Sequence, residues 1–241
     1  MDGLKNLGTS IRRLTWYEWV MATVMIVIAG YVMLSSFIDS SSSDNPTWLT
    51  VVNFVSAVAG VFCIFLTAKV SISNFVFSIV NTLSYMAYLL YWNIMGTFLL
   101  EACVYLPLAV GSWVMWVRHR DTKERDLTKA KRMSYPVMAV CAVIVILSGL
   151  VYEAILSEIG DPVAMLDAYT VAIGLVAISL ELLRYREQYI LWLITDIIAV
   201  AMFIVHFDPV YLTKKMIYLI MAFVGLYNWY RLSGERNPEN E

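Results

Sequence analysis

Glu187-Gln188-Tyr189-Ile190-Leu191-Trp192-Leu193-Ile194-Thr195-Asp196 opens a segment that runs on, almost wholly apolar, to His206. As a helix it is long enough to cross a bilayer, which takes roughly 20 mainly apolar residues. Gln188, Trp192, Thr195 and His206 recur at helical spacing, so they share one face, with Asp196 at its edge. A carboxylate in mid-span costs about 3 kcal/mol to insert, so it is expected to face protein or water rather than lipid. That stripe is the expected place for a small polar molecule.

The rest of the chain agrees with a membrane setting. Of its 241 residues, 60% are hydrophobic and 15% charged, with a mean hydropathy of +0.70. Soluble domains run nearer half apolar and a quarter charged. The apolar residues come in long blocks, so the fold class is an all-α integral membrane protein of about eight transmembrane helices. Cys63, Cys103 and Cys141 each lie inside an apolar block and read as small core residues. No Cys-x-x-Cys, phosphate-loop or zinc-binding His-Glu motif occurs, so no metal or cofactor is expected.

Residues 1–45 hold an extra helix, about Trp16 to Ile38, and a polar loop. The apolar block outruns a signal-peptide core, and no clear Ala-x-Ala site follows, so a retained span is expected. Residues 46–117 hold a triplet of helices, about Trp48–Ala68, Ile72–Trp92 and Gly96–Val117. Residues 118–157 begin with a linker carrying seven Lys or Arg (Arg118 to Arg132) and continue into a single helix from about Met133. Residues 158–231 hold a second triplet, about Val163–Leu183, Gln188–Phe207 and Tyr211–Arg231, and 232–241 form a polar tail. Loops rich in Lys and Arg stay in the cytoplasm. With the amino terminus inside, only Lys214 and Lys215 of the 17 basic residues fall on the outer side. Both termini are then cytoplasmic.

The two triplets match under a gapless shift of 114 residues. Asn53, Ser56, Gly60 and Thr67 map to Asp167, Thr170, Gly174 and Glu181. Asn74, Ser78, Asn81, Tyr85, Tyr88 and Trp92 map to Gln188, Trp192, Thr195, Ala199, Met202 and His206. Glu101 maps to Lys215, Gly111 to Gly225, Trp113 to Tyr227 and Trp116 to Tyr230. Triplets joined by one helix share one orientation, which is the parallel form of transporter duplication. The plainer reading of the small residues is helix packing, which we prefer for Ser56, Thr67, Gly60, Gly174, Gly111 and Gly225.

Aromatic rings beside amides and a carboxylate suit a flat heterocycle bearing hydroxyl groups. Trp192, Tyr85 and Tyr88 offer stacking faces, worth about 0.5–2 kcal/mol to a cationic ring. Asn81, Gln188 and Asp196 offer partners for amide or hydroxyl groups, and Asp196 also balances a positive ring. Lys215 is read either as paired with Glu101 or as reaching the outer surface with Lys214. Lys69 and Glu181 are expected to be solvated. Asp196 and His206 stand about 15 Å apart along a helix, too far for one catalytic site, and the chain is not expected to be an enzyme.

The second triplet resembles the PnuC-type vitamin transporters, the nicotinamide riboside transporter family. The resemblance rests on Glu187-Gln188-x-x-x-Trp192-x-x-x-Asp196, then Tyr211-Leu212, Tyr218, Gly225 and Trp229. It implies one extra N-terminal helix ahead of a 3+1+3, SWEET-like parallel-repeat core. It also implies uptake of nicotinamide riboside by facilitated diffusion, with trapping by a cytoplasmic kinase, and a homotrimer in the bacterial inner membrane. Taken with the stripes, the expected substrate-binding set is Gln188, Trp192, Asp196, Asn81, Tyr85, Tyr88 and Tyr218. Thiamine, riboflavin or a deoxynucleoside are the alternatives within the family, and a sugar is the alternative suggested by the repeat alone. The expected partners are thus a small vitamin or nucleoside and the lipid bilayer, with no nucleic acid.

Overall fold

The computed structural model describes residues 7–8, 10–38, 46–93, 95–120, 127–159, 164–205 and 209–234. It divides into two compact units, Met1–Thr128 and Lys129–Glu241. In the first unit, α1 spans Trp16–Ile38, α2 Thr47–Ala68 and α3 Asn74–Tyr91. The fourth helix, α4, is composite: Met95–Leu100, then a π-helical turn over Glu101–Tyr105, then Leu106–Arg118. In the second unit, α5 spans Tyr135–Ile159, α6 Ala164–Leu182, α7 Gln188–Val205 and α8 Pro209–Gly234. Within each unit, every helix packs on the one before it in sequence. The extra helix therefore stands to the first triplet as the linker helix stands to the second.

Five of these helices include a stretch long and apolar enough to cross a membrane: Trp16–Ser35, Thr47–Ala68, Phe98–Arg118, Tyr135–Glu158 and Ala164–Leu182. The apolar stretch of α7 is shorter, Gln188–Ala201. The amides and hydroxyls of α3 and the lysines of α8 dilute the apolar character of those two helices. Large apolar side chains lie on the outside, as lipid requires: along α5, Val140, Val143, Leu147 and Val151 are each more than half exposed. Cys103 is exposed, and Cys63 and Cys141 are half-buried, which corrects their reading as core residues. They occupy helix faces that no described neighbour covers fully.

The local chemistry of the helix ends repeats between units. The end of α2 bonds Ser71 N–H to the Leu66 carbonyl (3.0 Å) and Val70 N–H to the Thr67 carbonyl (2.9 Å). At the end of α6, Tyr185 N–H bonds to the Leu180 carbonyl (2.9 Å) and Arg184 N–H to the Glu181 carbonyl (2.9 Å). Both are Schellman caps, which place one residue in the left-handed region, normally glycine. Here it is Val70 (φ 61°) and Arg184 (φ 65°). A non-glycine residue costs of order 1 kcal/mol or more in that region, so its surroundings must hold it. Each carbonyl is held by the chain segment near the linker: Thr128 N–H donates to Val70 (3.2 Å) and Lys131 N–H to Arg184 (2.8 Å). Two strained caps of the same kind thus lie 114 residues apart.

Each cap is also tied to the start of its unit's first helix. Thr15 N–H donates to Glu18 Oε2 at 2.6 Å, which caps the open N–H groups of α1. Lys69 Nζ stands 2.8 Å from the same carboxylate oxygen and donates to the Arg13 carbonyl at 2.6 Å. Glu18 is fully buried and Lys69 largely so, which corrects the expectation of a solvated Lys69. Glu181, expected to be solvated as well, is half-buried. In the second unit, Glu187 Oε2 accepts from Met133 N–H (3.1 Å), and Arg186 Nε donates to Glu187 Oε1 (3.1 Å). The Arg186 guanidinium also lies 3.9 Å over the Tyr230 ring and donates to Ser233 Oγ at 2.8 Å. Lys131, whose backbone supports the second cap, has its ammonium pushed below its ordinary pKa by burial and by the nearby Arg184.

Candidate functional site

The expected site residues lie in two groups, one in each unit. In the first unit they sit on α3. Asn74, at its start, donates from its amide to Thr67 Oγ1 at 2.7 Å, and Thr67 donates on to the Cys63 carbonyl at 2.9 Å. Two turns later, Ser56 Oγ donates to Asn81 Oδ1 at 2.8 Å, so α2 fixes the orientation of that amide. Tyr85 and Tyr88 follow on the same side, their rings nearly parallel with centroids 6.3 Å apart. The group is half-exposed, an amide followed by an aromatic ladder.

In the second unit the group lies on α7 and α8. Gln188 is fully buried, and among the described residues neither its amide oxygen nor its amide nitrogen has a hydrogen-bond partner. A buried amide without partners costs about 1–3 kcal/mol, so it is a group waiting for one. Trp192 is half-buried one turn on. Thr195 is buried and turns its hydroxyl back to the Trp192 carbonyl at 2.9 Å, so it serves the helix rather than the cleft. Asp196 is 5% exposed. Its Oδ1 takes a hydrogen bond and ion pair from Lys215 Nζ at 3.2 Å. The same Nζ stands 5.5 Å from the centroid of the Tyr218 ring. Asp196, Lys215 and Tyr218 therefore form one cluster across the α7–α8 hairpin.

That cluster revises the reading of Lys215. Within its own unit its partner is Asp196, so it is not simply a surface lysine. The sequence held a signal for this. Two antiparallel helices joined by a short loop bring together residues equidistant from it. With α7 ending at Val205 and α8 starting at Pro209, Asp196 stands opposite Tyr218, with Lys215 one turn nearer the loop. His206 lies outside the described residues, as do the side chains of Met202, Tyr211, Lys214 and Asp167. The buried Glu18–Lys69 pair gave no such signal, because its members are 51 residues apart on separate helices.

A close approach sets the spacing between α7 and α8. A Cβ on Gly225 would lie 2.1 Å from the Tyr189 ring, so only glycine fits there. Tyr189 in turn packs on Trp229, their centroids 5.8 Å apart. This apolar block packs α7 against α8 around Tyr189. No group of His, Cys, Asp and Glu suited to a metal occurs among the described residues.

Comparison with known proteins gives a consistent result. The family described as nicotinamide mononucleotide transporter matches residues 50–231. The chain is 30% identical over 200 residues to the nicotinamide riboside transporter PnuC of Neisseria mucosa, covering 78% of this chain and 74% of that one. It is 27% identical to the Haemophilus influenzae PnuC over 192 residues, covering 79% and 83%. Among solved structures, the crystal structure of the vitamin B3 transporter PnuC superposes with a TM-score of 0.70 at 26% identity, covering 93% of this chain and 94% of that one. The PnuC-like ending of the second triplet and the helical fold thus agree with the comparisons, and the chain belongs to the nicotinamide mononucleotide transporter family, among membrane transporters of the PnuC type.

Proposed function

We propose that the chain takes up nicotinamide riboside across the bacterial inner membrane, by facilitated diffusion, with all eight helices as spans and both termini in the cytoplasm. Kinship with PnuC nicotinamide riboside transporters over most of the chain carries this reading. The second-unit cluster supports it chemically. A carboxylate, a half-buried indole and a phenol ring on neighbouring turns suit a cationic pyridinium, and the unpartnered Gln188 suits an amide or hydroxyl group. The riboside is preferred to the mononucleotide as substrate because the PnuC relatives are nicotinamide riboside transporters. Within the first unit, Asn81, Tyr85 and Tyr88 offer the same kinds of group, an amide and two aromatic faces. Trimer formation and phosphorylation of the vitamin in the cytoplasm belong to the same reading.

The test is a thermal-shift panel in detergent followed by flux in liposomes. A ligand that binds the folded state raises its stability. Nicotinamide riboside is expected to raise the melting temperature saturably, ahead of thiamine, riboflavin, deoxynucleosides and sugars. Loaded into one side of a liposome, it should equilibrate to equal concentrations without an ion gradient. Trp192→Ala and Asp196→Ala should each reduce uptake at least tenfold at unchanged expression. Full uptake by both variants would remove α7 from the site.

A further inference from the structure

Asp196 is already neutralised. The group that neutralises it is attached by a flexible four-carbon stem, its side chain 28% exposed against 7% for the aspartate. The ammonium sits against a carboxylate and an aromatic face together, at 3.2 Å and 5.5 Å. Those are the two elements that would hold an organic cation. We propose that Lys215 is a tethered occupant of this site, displaced by a cationic ring, and that it thereby sets how strongly the transporter prefers nucleosides with a charged ring over those with a neutral one. The proposal rests on the reading of α7 and α8 as part of the ligand site.

The first unit argues against a purely structural pair. At the position equivalent to Asp196 it has Thr82, also buried, so the hairpin geometry does not demand a charge there. Glu101 occupies the position equivalent to Lys215. The ion pair is thus peculiar to the second copy. Energetics then fix the order of events. An uncompensated carboxylate is costly in the membrane, so Lys215 leaves only when another positive charge arrives. A cationic ring makes that exchange and keeps the site neutral. A neutral ring cannot, and binds only beside the lysine.

The experiment is calorimetric titration of the purified full chain with nicotinamide riboside and with its reduced form, whose ring is uncharged. Lys215→Met removes the competitor. It should tighten binding of the cation at least about tenfold and change binding of the reduced form by less than about threefold. Folded Lys215→Met protein with unchanged or weaker affinity for the cation overturns the proposal. Because an unpaired Asp196 can compromise folding, the double variant D196N/K215M provides an independent reading. It should bind both forms within about threefold of each other, and retention of the wild-type preference would also overturn the proposal. Wild-type protein that binds neither form overturns the transport reading, and this inference with it. Wild type that binds the cation, with variants behaving otherwise than expected, overturns this inference alone.

Discussion

At Gly225 a single hydrogen atom decides how closely α8 approaches α7. Gly225→Ala puts a methyl group 2.1 Å from the Tyr189 ring, a distance real contacts do not tolerate, so the ring or the helix must shift. Overpacking of this kind costs about 2 kcal/mol, and a melting temperature several degrees below wild type is expected. Tyr189→Leu should recover most of that loss in the Gly225→Ala background, and absence of recovery would show that the clash lies elsewhere. Glu18 and Lys69 act by charge instead of shape. Lys69→Met leaves a fully buried carboxylate with only the Thr15 N–H, which should cost about 3 kcal/mol. Glu18→Gln in the same background should return part of it. Equal stability of Lys69→Met and wild type would mean that the carboxylate finds water. The sequence identified Gly225 as a packing residue because small residues in membrane helices let backbones approach closely. It missed the burial of Lys69, because a basic residue at a span end looks the same whether it meets water or a distant glutamate.

The elements repeat more faithfully than the residues, with one slip. Phe75 packs edge-on against the buried Trp116 at 4.9 Å, and Tyr189 packs on the buried Trp229 at 5.8 Å. The first members are 114 residues apart and the second 113, so one residue is gained in α4. The π-helical turn at Glu101–Tyr105 accommodates it, since such a turn absorbs one extra residue without rotating the helix beyond it. Pro107, just beyond, explains the turn: its ring lacks an N–H and collides with the carbonyl four residues back. The gapless alignment therefore pairs Trp116 with Tyr230 where the buried equivalent is Trp229. The polar stripes agree under the 114-residue shift, and this insertion is not legible in them, because only a proline marks it. Deleting Ala102 should convert the turn to ordinary α-helix and keep Trp116 on Phe75, with the protein still monodisperse and its melting temperature within a few degrees of wild type. Deleting Leu219 from the regular α8 should rotate Trp229 about 100° from Tyr189 and abolish folding. If both deletions behave alike, the turn is not where the extra residue resides.

Across the whole molecule, charge and apolar surface divide the work. The apolar blocks made the helical membrane class plain from the sequence, and the PnuC-like ending of the second triplet pointed to the family. The site was legible in part: the polar faces of α3 and α7 were visible as stripes, but the partner of Asp196 lies across the hairpin, where the periodicity of a single helix does not reach. The structured ties repeat at corresponding junctions. Lys69 with Glu18 fastens the α2–α3 junction, and Arg186 with Glu187, Tyr230 and Ser233 fastens the α6–α7 junction. Those junctions hold the basic residues that the positive-inside rule assigns to the cytoplasm. On the proposed orientation the residues that clamp the helices also carry the cytoplasmic charge, so inverted insertion would carry the clamps across the membrane with their charges, which the bilayer resists. The orientation should accordingly survive loss of one charge. A green fluorescent protein fused after the carboxyl terminus should fluoresce, and alkaline phosphatase at the same point should be inactive, in wild type and in Arg186→Gln alike. Active phosphatase in wild type would reverse the assignment. Active phosphatase in Arg186→Gln alone would make that one junction, rather than the summed charge of the loops, the determinant of topology.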